Sequence, residues 1–133
     1  MGGGLILETT FLVDLERELA RGHAGPTQAW LEARDEALFL PFIVAGEIAA
    51  GTPVDQRPRW EEFIGPFQFL PCTEEVCWEY GQLYHYLQRN GLLIGANDLW
   101  IAATALANGK PLVTRNVRDF ERVPNLRLIT WQD

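Results

Sequence analysis

At 133 residues the chain is long enough for one domain whose core needs no disulfide or metal staple. Apolar residues make up 47% of it and charged residues 22%, a balance that excludes a disordered chain. The net charge of −7 and pI near 4.8 argue against a broad basic face for nucleic acid, and leave two readings open: a generally acidic surface, or carboxylates gathered in one place.

The first segment, Met1 to Leu7, has no basic lead and no cleavage site, so it reads as a glycine-led buried strand rather than a signal peptide. No run approaches the ~18 consecutive apolar residues of a membrane span, and a soluble cytoplasmic protein is expected. After Glu8, Thr9 or Thr10 is placed to cap a helix with Phe11, Leu12, Leu15 and Leu19 on one face. Gly22 to Pro26 breaks that pattern, and Pro26 opens a second helix through about Asp35. Leu38 to Pro41 is a second strand, Phe42 to Ala50 a helix, and Val54 to Ile64 another that Pro58 shortens at its start.

Phe67 to Leu70 is a third strand. Thr73 starts a long helix with Val76, Tyr80, Leu83, Tyr84 and Leu87 at helical spacing, ended by Gly91. Asn97 or Asp98 caps a helix that stops at Asn108 and Gly109. Pro111 to Thr114 is a fourth strand, Val117 to Glu121 a helical turn, and Leu126 to Trp131 a fifth strand. Short apolar strands alternating with helices within one domain over residues 1–133 imply an α/β fold with a mostly parallel sheet of four to five strands, covered on both faces. Cys72 and Cys77 lack the CxxC spacing and have no histidine cluster nearby, so they read as two buried or half-buried thiols of a reducing compartment.

In such a sheet, ligands bind beyond the carboxyl ends of the strands. Glu8 follows the first strand directly, Glu47 lies on the helix after the second, Asp98 opens a helix, and Asp119 follows the fourth strand. Each has a plain alternative: Glu8 and Asp98 as capping acids, Asp119 as a surface residue. Glu47 stands out as a lone charge in the apolar run Val44-Ala45-Gly46-Glu47-Ile48. A cluster of all four would repel itself unless a divalent cation neutralised it. Oxygen ligands without histidine or cysteine favour Mg²⁺ or Mn²⁺ over zinc.

The run from Ile94 to Leu126 closely resembles the PIN-domain family, specifically its VapC-type toxins. It has a helix-opening Asp98, the helix Ile101-Ala102-Ala103-Thr104-Ala105, a strand ending in Val113-Thr114, and Asn116-Val117-Arg118-Asp119-Phe120. Leu5-Ile6-Leu7-Glu8-Thr9-Thr10-Phe11 and the Gly46-Glu47 helix match in order and spacing, so the resemblance spans essentially the whole chain. It implies a three-layer α/β/α sandwich and a Mg²⁺- or Mn²⁺-dependent endoribonuclease, dimeric, and inhibited by a cognate antitoxin. Glu8, Glu47 and Asp98 match the family's metal-binding carboxylates. Asp119 matches a more variable acid that often acts through water, and Thr9, Thr114 and Asn116 match polar residues supporting the site. Glu8 departs from the family's usual Asp by one methylene, a change to which metal geometry is sensitive, and the resemblance implies attenuated activity.

The expected chemistry is attack of metal-activated water on an RNA phosphodiester, with Arg115, Arg118 and Arg122 available to the backbone phosphates. His23 and His85 sit in helical patterns and read as surface or packing residues. The five tryptophans read as core or interface, and the helices carrying Trp30 and Trp60 as candidates for the antitoxin groove. Two other classes fit the same residues: a catalytically weakened PIN domain that mainly binds protein, and an acidic-site nuclease acting on DNA.

Overall fold

The structure, a computed structural model, describes residues 3–131, so Met1 and Gly2 of the expected glycine lead-in lie outside the described residues. Five strands, β1 (Leu5–Leu7), β2 (Leu38–Pro41), β3 (Gln68–Leu70), β4 (Leu112–Val113) and β5 (Leu128–Ile129), form one sheet in the order β3-β2-β1-β4-β5. Every pairing is parallel, which completes the expected mostly parallel sheet. Helices α1 (Thr9–Arg21) and α2 (Pro26–Glu32) connect β1 to β2, and α3 (Phe42–Ala50) and α4 (Arg57–Ile64) connect β2 to β3. Helices α5 (Glu74–Arg89) and α6 (Ala96–Asn108) lead to β4, and α7 (Val117–Phe120) precedes β5.

The chain winds from β1 outward to β3, then returns to the far side of β1 for β4 and β5. Right-handed crossovers running in opposite directions lie on opposite faces, which gives the three layers. It also makes the gap between the ends of β1 and β4 the point where the topology reverses, the place where open α/β sheets take their ligands. At that point Glu8 N–H donates to Val113 O at 3.0 Å, so the residue after β1 is fixed to the last residue of β4.

The core is built on the two central strands. Ile6, Leu7, Leu112 and Val113 are fully buried, and the helices add Phe11, Leu12, Val44, Leu87, Leu99 and Ile101. Each such side chain contributes on the order of 1.5–3 kcal/mol relative to exposure. Trp30 and Trp131 pack edge-on against Phe11, with ring centroids 5.5 and 5.0 Å away.

Several local expectations shift. The cap of α1 is Glu8, without a side-chain cap bond, because the hydroxyls of Thr9 and Thr10 are engaged elsewhere. Gly95 caps α6, which places Asn97 and Asp98 inside its first turn rather than at the cap. The second helix stops at Glu32 rather than near Asp35, and α4 begins at Arg57, where Pro58 needs no hydrogen-bonded N–H. Leu19 is half exposed and Trp78 is 68% exposed, so neither joins the core. His23 and His85 are exposed, His23 in the turn after α1 rather than in a helix. Cys72 and Cys77 are both exposed, contrary to their expected burial. As expected, Thr73 caps α5, its Oγ1 accepting from Val76 N–H at 3.3 Å.

Buried charge also shapes the turn between α1 and α2. The Glu18 carboxylate, 3% exposed, accepts backbone N–H groups from Gly25, Thr27 and Gln28 at 2.9–3.1 Å. Those are the free donors at the start of α2, so one side chain from α1 caps the next helix. Burial alone would push the Glu18 pKa up. The donors from Gln28, Thr27 and Gly25 outweigh it, and the net shift is downward.

Candidate active site

Four acids drawn from separate elements meet at the reversal point. Glu8 follows β1 directly, Glu47 sits in the second half of α3, Asp98 lies in the first turn of α6, and Asp119 lies on α7. Their proximity is visible at Asp98, which is half-buried. Its pKa is raised from 3.8 to about 6, first by burial and then by the negative charges of Glu8, Glu47 and Asp119.

Hydroxyl and amide donors fix the two glutamates. Glu8 is 3% exposed, and its Oε1 accepts from Thr114 Oγ1 and, at 2.6 Å, from Thr10 Oγ1. Each of those hydroxyls is itself oriented by a backbone amide: Asn116 N–H donates to Thr114 Oγ1 and Arg115 N–H to Thr10 Oγ1, both at 2.9 Å. Glu47 is held at both oxygens, Oε1 by Thr9 Oγ1 and Oε2 by Asn97 Nδ2 at 3.1 Å. Asn116 Nδ2 donates to Asp119 Oδ2 at 3.3 Å.

The expected acids, Thr9, Thr114 and Asn116 are thus brought together. Thr10 and Asn97 join them, although sequence reasoning assigned Thr10 only to a cap and Asn97 only to a cap. The signal for Asn97 was its place beside Asp98; nothing local pointed to a partner 50 residues away. The arginines divide. Arg115 pairs with Asp14 at 3.4 Å, and Arg122 donates to Leu93 O at 3.1 Å, so both are engaged by the protein. Arg118 is exposed on α7.

Among the described residues, no ion pair involves Glu8, Glu47, Asp98 or Asp119. Nor do three metal-ligating side chains there close into a ready-made cage. Donors of this kind fit a hard cation that keeps much of its water. Mg²⁺ is usually held by one or two carboxylates with several waters retained, whereas zinc takes a close tetrahedral set that includes nitrogen or sulfur. The arrangement therefore offers concentrated negative charge, hydroxyl-fixed carboxylates and an open edge of the sheet.

The chain is similar to known proteins in sequence and in fold. The profile of the PIN domain matches residues 5–126. A ribonuclease VapC of Rickettsia bellii is 33% identical, with 96% of each chain covered. Ribonuclease VapC2 of Rickettsia felis is 31% identical over 76% of this chain and 79% of its own. Among solved structures, VapBC2 of Rickettsia felis, bound to a DNA fragment from its promoter, has a chain that superposes with a TM-score of 0.82 at 29% identity, covering 97% of this chain and 99% of that one. VapBC-1 of nontypeable Haemophilus influenzae gives 0.83 at 26% identity, covering 98% and 99%. The family profile and these relatives agree: the chain belongs to the PIN-domain family, within its VapC group.

Proposed function

We propose that this chain is a divalent-metal-dependent endoribonuclease, the toxin of a toxin–antitoxin pair, acting as one PIN domain in the cytoplasm. The observation that carries the reading is the set of four converging carboxylates with no cationic partner among the described residues. Relatives named as ribonucleases supply the substrate class.

Glu47, Asp98 and Glu8 would hold Mg²⁺ or Mn²⁺, with Asp119 acting through Asn116 or water. When bound, the ion supplies positive charge for the phosphodiester and lowers the pKa of water. The protein's own part is placement. Thr9 and Asn97 stop Glu47 from rotating, and Thr10 and Thr114 do the same for Glu8. Arg118 is the exposed cation beside the acidic turn and is assigned to an RNA phosphate, a contact worth more to affinity than to sequence choice. Glu8 attenuates the rate, because its extra methylene moves the carboxylate from where the family's Asp would present it.

The antitoxin is assigned to a groove of about 640 Å³ lined by Leu15, Leu19, Leu31, Ile48, Trp60 and Phe63. Glu16, Glu32 and Glu62 also line it against one cation, Arg59, so the rim is net acidic and an apolar segment flanked by basic residues is the complementary ligand. Trp60 is held there by its indole N–H donating to Ala45 O at 3.0 Å, while Trp30 turns inward to Phe11 instead. The solution form is assigned as a homodimer, which a light-scattering mass would test.

The direct test of substrate class is cleavage of a labelled RNA and of the DNA of the same sequence, in Mg²⁺ and in chelator. RNA cleavage that needs the metal, with DNA intact, is expected. Preferential cutting of DNA supports the alternative nuclease. No cutting of either, together with tight capture of a co-expressed antitoxin, supports a protein-binding module.

A further inference from the structure

Cys72 and Cys77 bracket the start of α5. With Thr73 as the cap, Cys72 is the residue before it and Cys77 the fourth helical residue, two positions whose side chains meet across a helix start. Their sulfurs are 3.7 Å apart, and both residues are exposed. The surroundings hold this arrangement in place. Thr73 Oγ1 fixes the first turn through Val76 N–H, and Val76 is 1% exposed, so the turn is anchored from beneath. On the other side, β3 ends at Leu70, paired with Pro41, and Pro71 restricts the backbone leading to Cys72.

Cysteine is among the most buried residue types, so two exposed cysteines in contact are unusual. A metal role is not supported, since zinc takes four ligands and no third metal-ligating side chain joins the pair among the described residues. The remaining chemistry is sulfur–sulfur. A disulfide of about 2.05 Å requires the sulfurs to approach by only about 1.7 Å.

We propose that Cys72 and Cys77 are a thiol–disulfide modification site, closed into an intramolecular bridge by a low-molecular-weight disulfide such as oxidised glutathione. One protein thiolate attacks a sulfur of that disulfide, forming a mixed disulfide and releasing one small thiolate. The second protein thiolate attacks the protein sulfur of the mixed disulfide and releases the other. The protein loses two protons and two electrons, and one disulfide becomes two thiols. Partial desolvation, then the hydrogen bond and charge of Cys77, push the Cys72 thiol pKa up, which lowers the fraction of Cys72 present as the attacking thiolate and makes closure faster as pH rises.

Closure ties the end of β3 to the first turns of α5. That helix carries Tyr80, which stacks on Trp100 of α6 with centroids 3.9 Å apart, two residues beyond Asp98. The bridge therefore stiffens the corner from which α5 enters its packing against the helix that bears Asp98.

The test uses the full chain, equilibrated with reduced and oxidised glutathione at several ratios and several protein concentrations, quenched with acid and weighed intact. Cys72→Ser and Cys77→Ser serve as controls. The expected wild-type product has lost two hydrogens, carries no glutathione, and forms to an extent independent of protein concentration. Each single variant instead retains one bound glutathione. Oxidised wild type should also unfold at a higher temperature than reduced, a shift both variants lack. Wild type that accumulates bound glutathione or covalent dimers as the variants do would overturn the proposal. So would an oxidised form that unfolds at or below the temperature of the reduced one.

Discussion

Thr114 donates its hydroxyl to Glu8 Oε1, joining the residue after β4 to the residue after β1 across 106 positions of sequence. Both groups are buried, so the bond fixes the carboxylate at the reversal point of the sheet. Thr114→Val keeps the shape and removes the donor. It is expected to lower kcat/KM for RNA roughly tenfold, since small misplacements of a site group are costly, and to destabilise the fold by about 1–3 kcal/mol. Denaturant unfolding and cleavage kinetics of the one variant check both. Unchanged kinetics would mean that Glu8 needs no fixing.

Glu8→Asp addresses the departure from the family pattern. The attenuated reading expects a rise in kcat/KM on the order of tenfold. A fall would show instead that Thr10 and Thr114 have fitted this site to the longer side chain.

Glu47 offers a cleaner separation of function from stability. Asn97 is exposed, so Asn97→Ala should change stability by less than about 0.5 kcal/mol. It should nonetheless slow RNA cleavage several-fold, because Glu47 Oε2 loses its donor. Equal activity at equal stability would remove Asn97 from the site.

Asp98 predicts a pH dependence with a definite sign. Its pKa is about 6 in the fold, against 3.8 unperturbed, so between those values the folded chain binds more protons than the unfolded one. Stability contributed by this group therefore falls as pH rises through that window in chelator-treated protein. Asp98→Asn should lose that part of the slope in thermal unfolding, and divalent cation should stabilise the wild type more above the window than below it. Identical pH slopes in the two proteins would contradict the clustering of charge.

The corner between α1 and α2 is a structural prediction independent of function. Glu18→Ala removes three N–H acceptor contacts and should cost roughly 1.5–3 kcal/mol. Gly25→Ala should also destabilise, since a Cβ there would stand 2.6 Å from Glu18 Cδ. Because the Glu18 pKa is lowered in the fold, its contribution is present above the unfolded value near 4.5 and is lost as pH falls below it. Acid unfolding of Glu18→Gln beside wild type measures the difference.

Much of this was legible in the amino-acid order. Short apolar runs separated by helical spacing marked all five strands, and α3 spans Phe42–Ala50 as expected. Glu47 was legible because a lone carboxylate in an apolar helix needs a reason. What local pattern could not reach was partnership at a distance. Thr9 and Thr10 look like helix caps because threonine at a helix start commonly is one, yet their acceptors are carboxylates at the sheet edge. Leu19 fits the buried stripe of α1 by spacing, but that stripe runs out into an open groove. The start of α5 at Thr73 was legible, but the approach of Cys72 to Cys77 was not, because the pair lacks CxxC spacing and meets across a helix start instead.

The central claim is that the four gathered carboxylates are a metal-dependent RNA-cleaving site. Its most direct test is the rate of RNA cleavage by wild type and Asp98→Asn at matched folded concentration, with Mg²⁺ and with chelator. The account predicts cleavage by wild type in Mg²⁺, and loss of at least about a hundredfold in Asp98→Asn and in chelator. Equal cleavage by the two proteins, well above background, would contradict it.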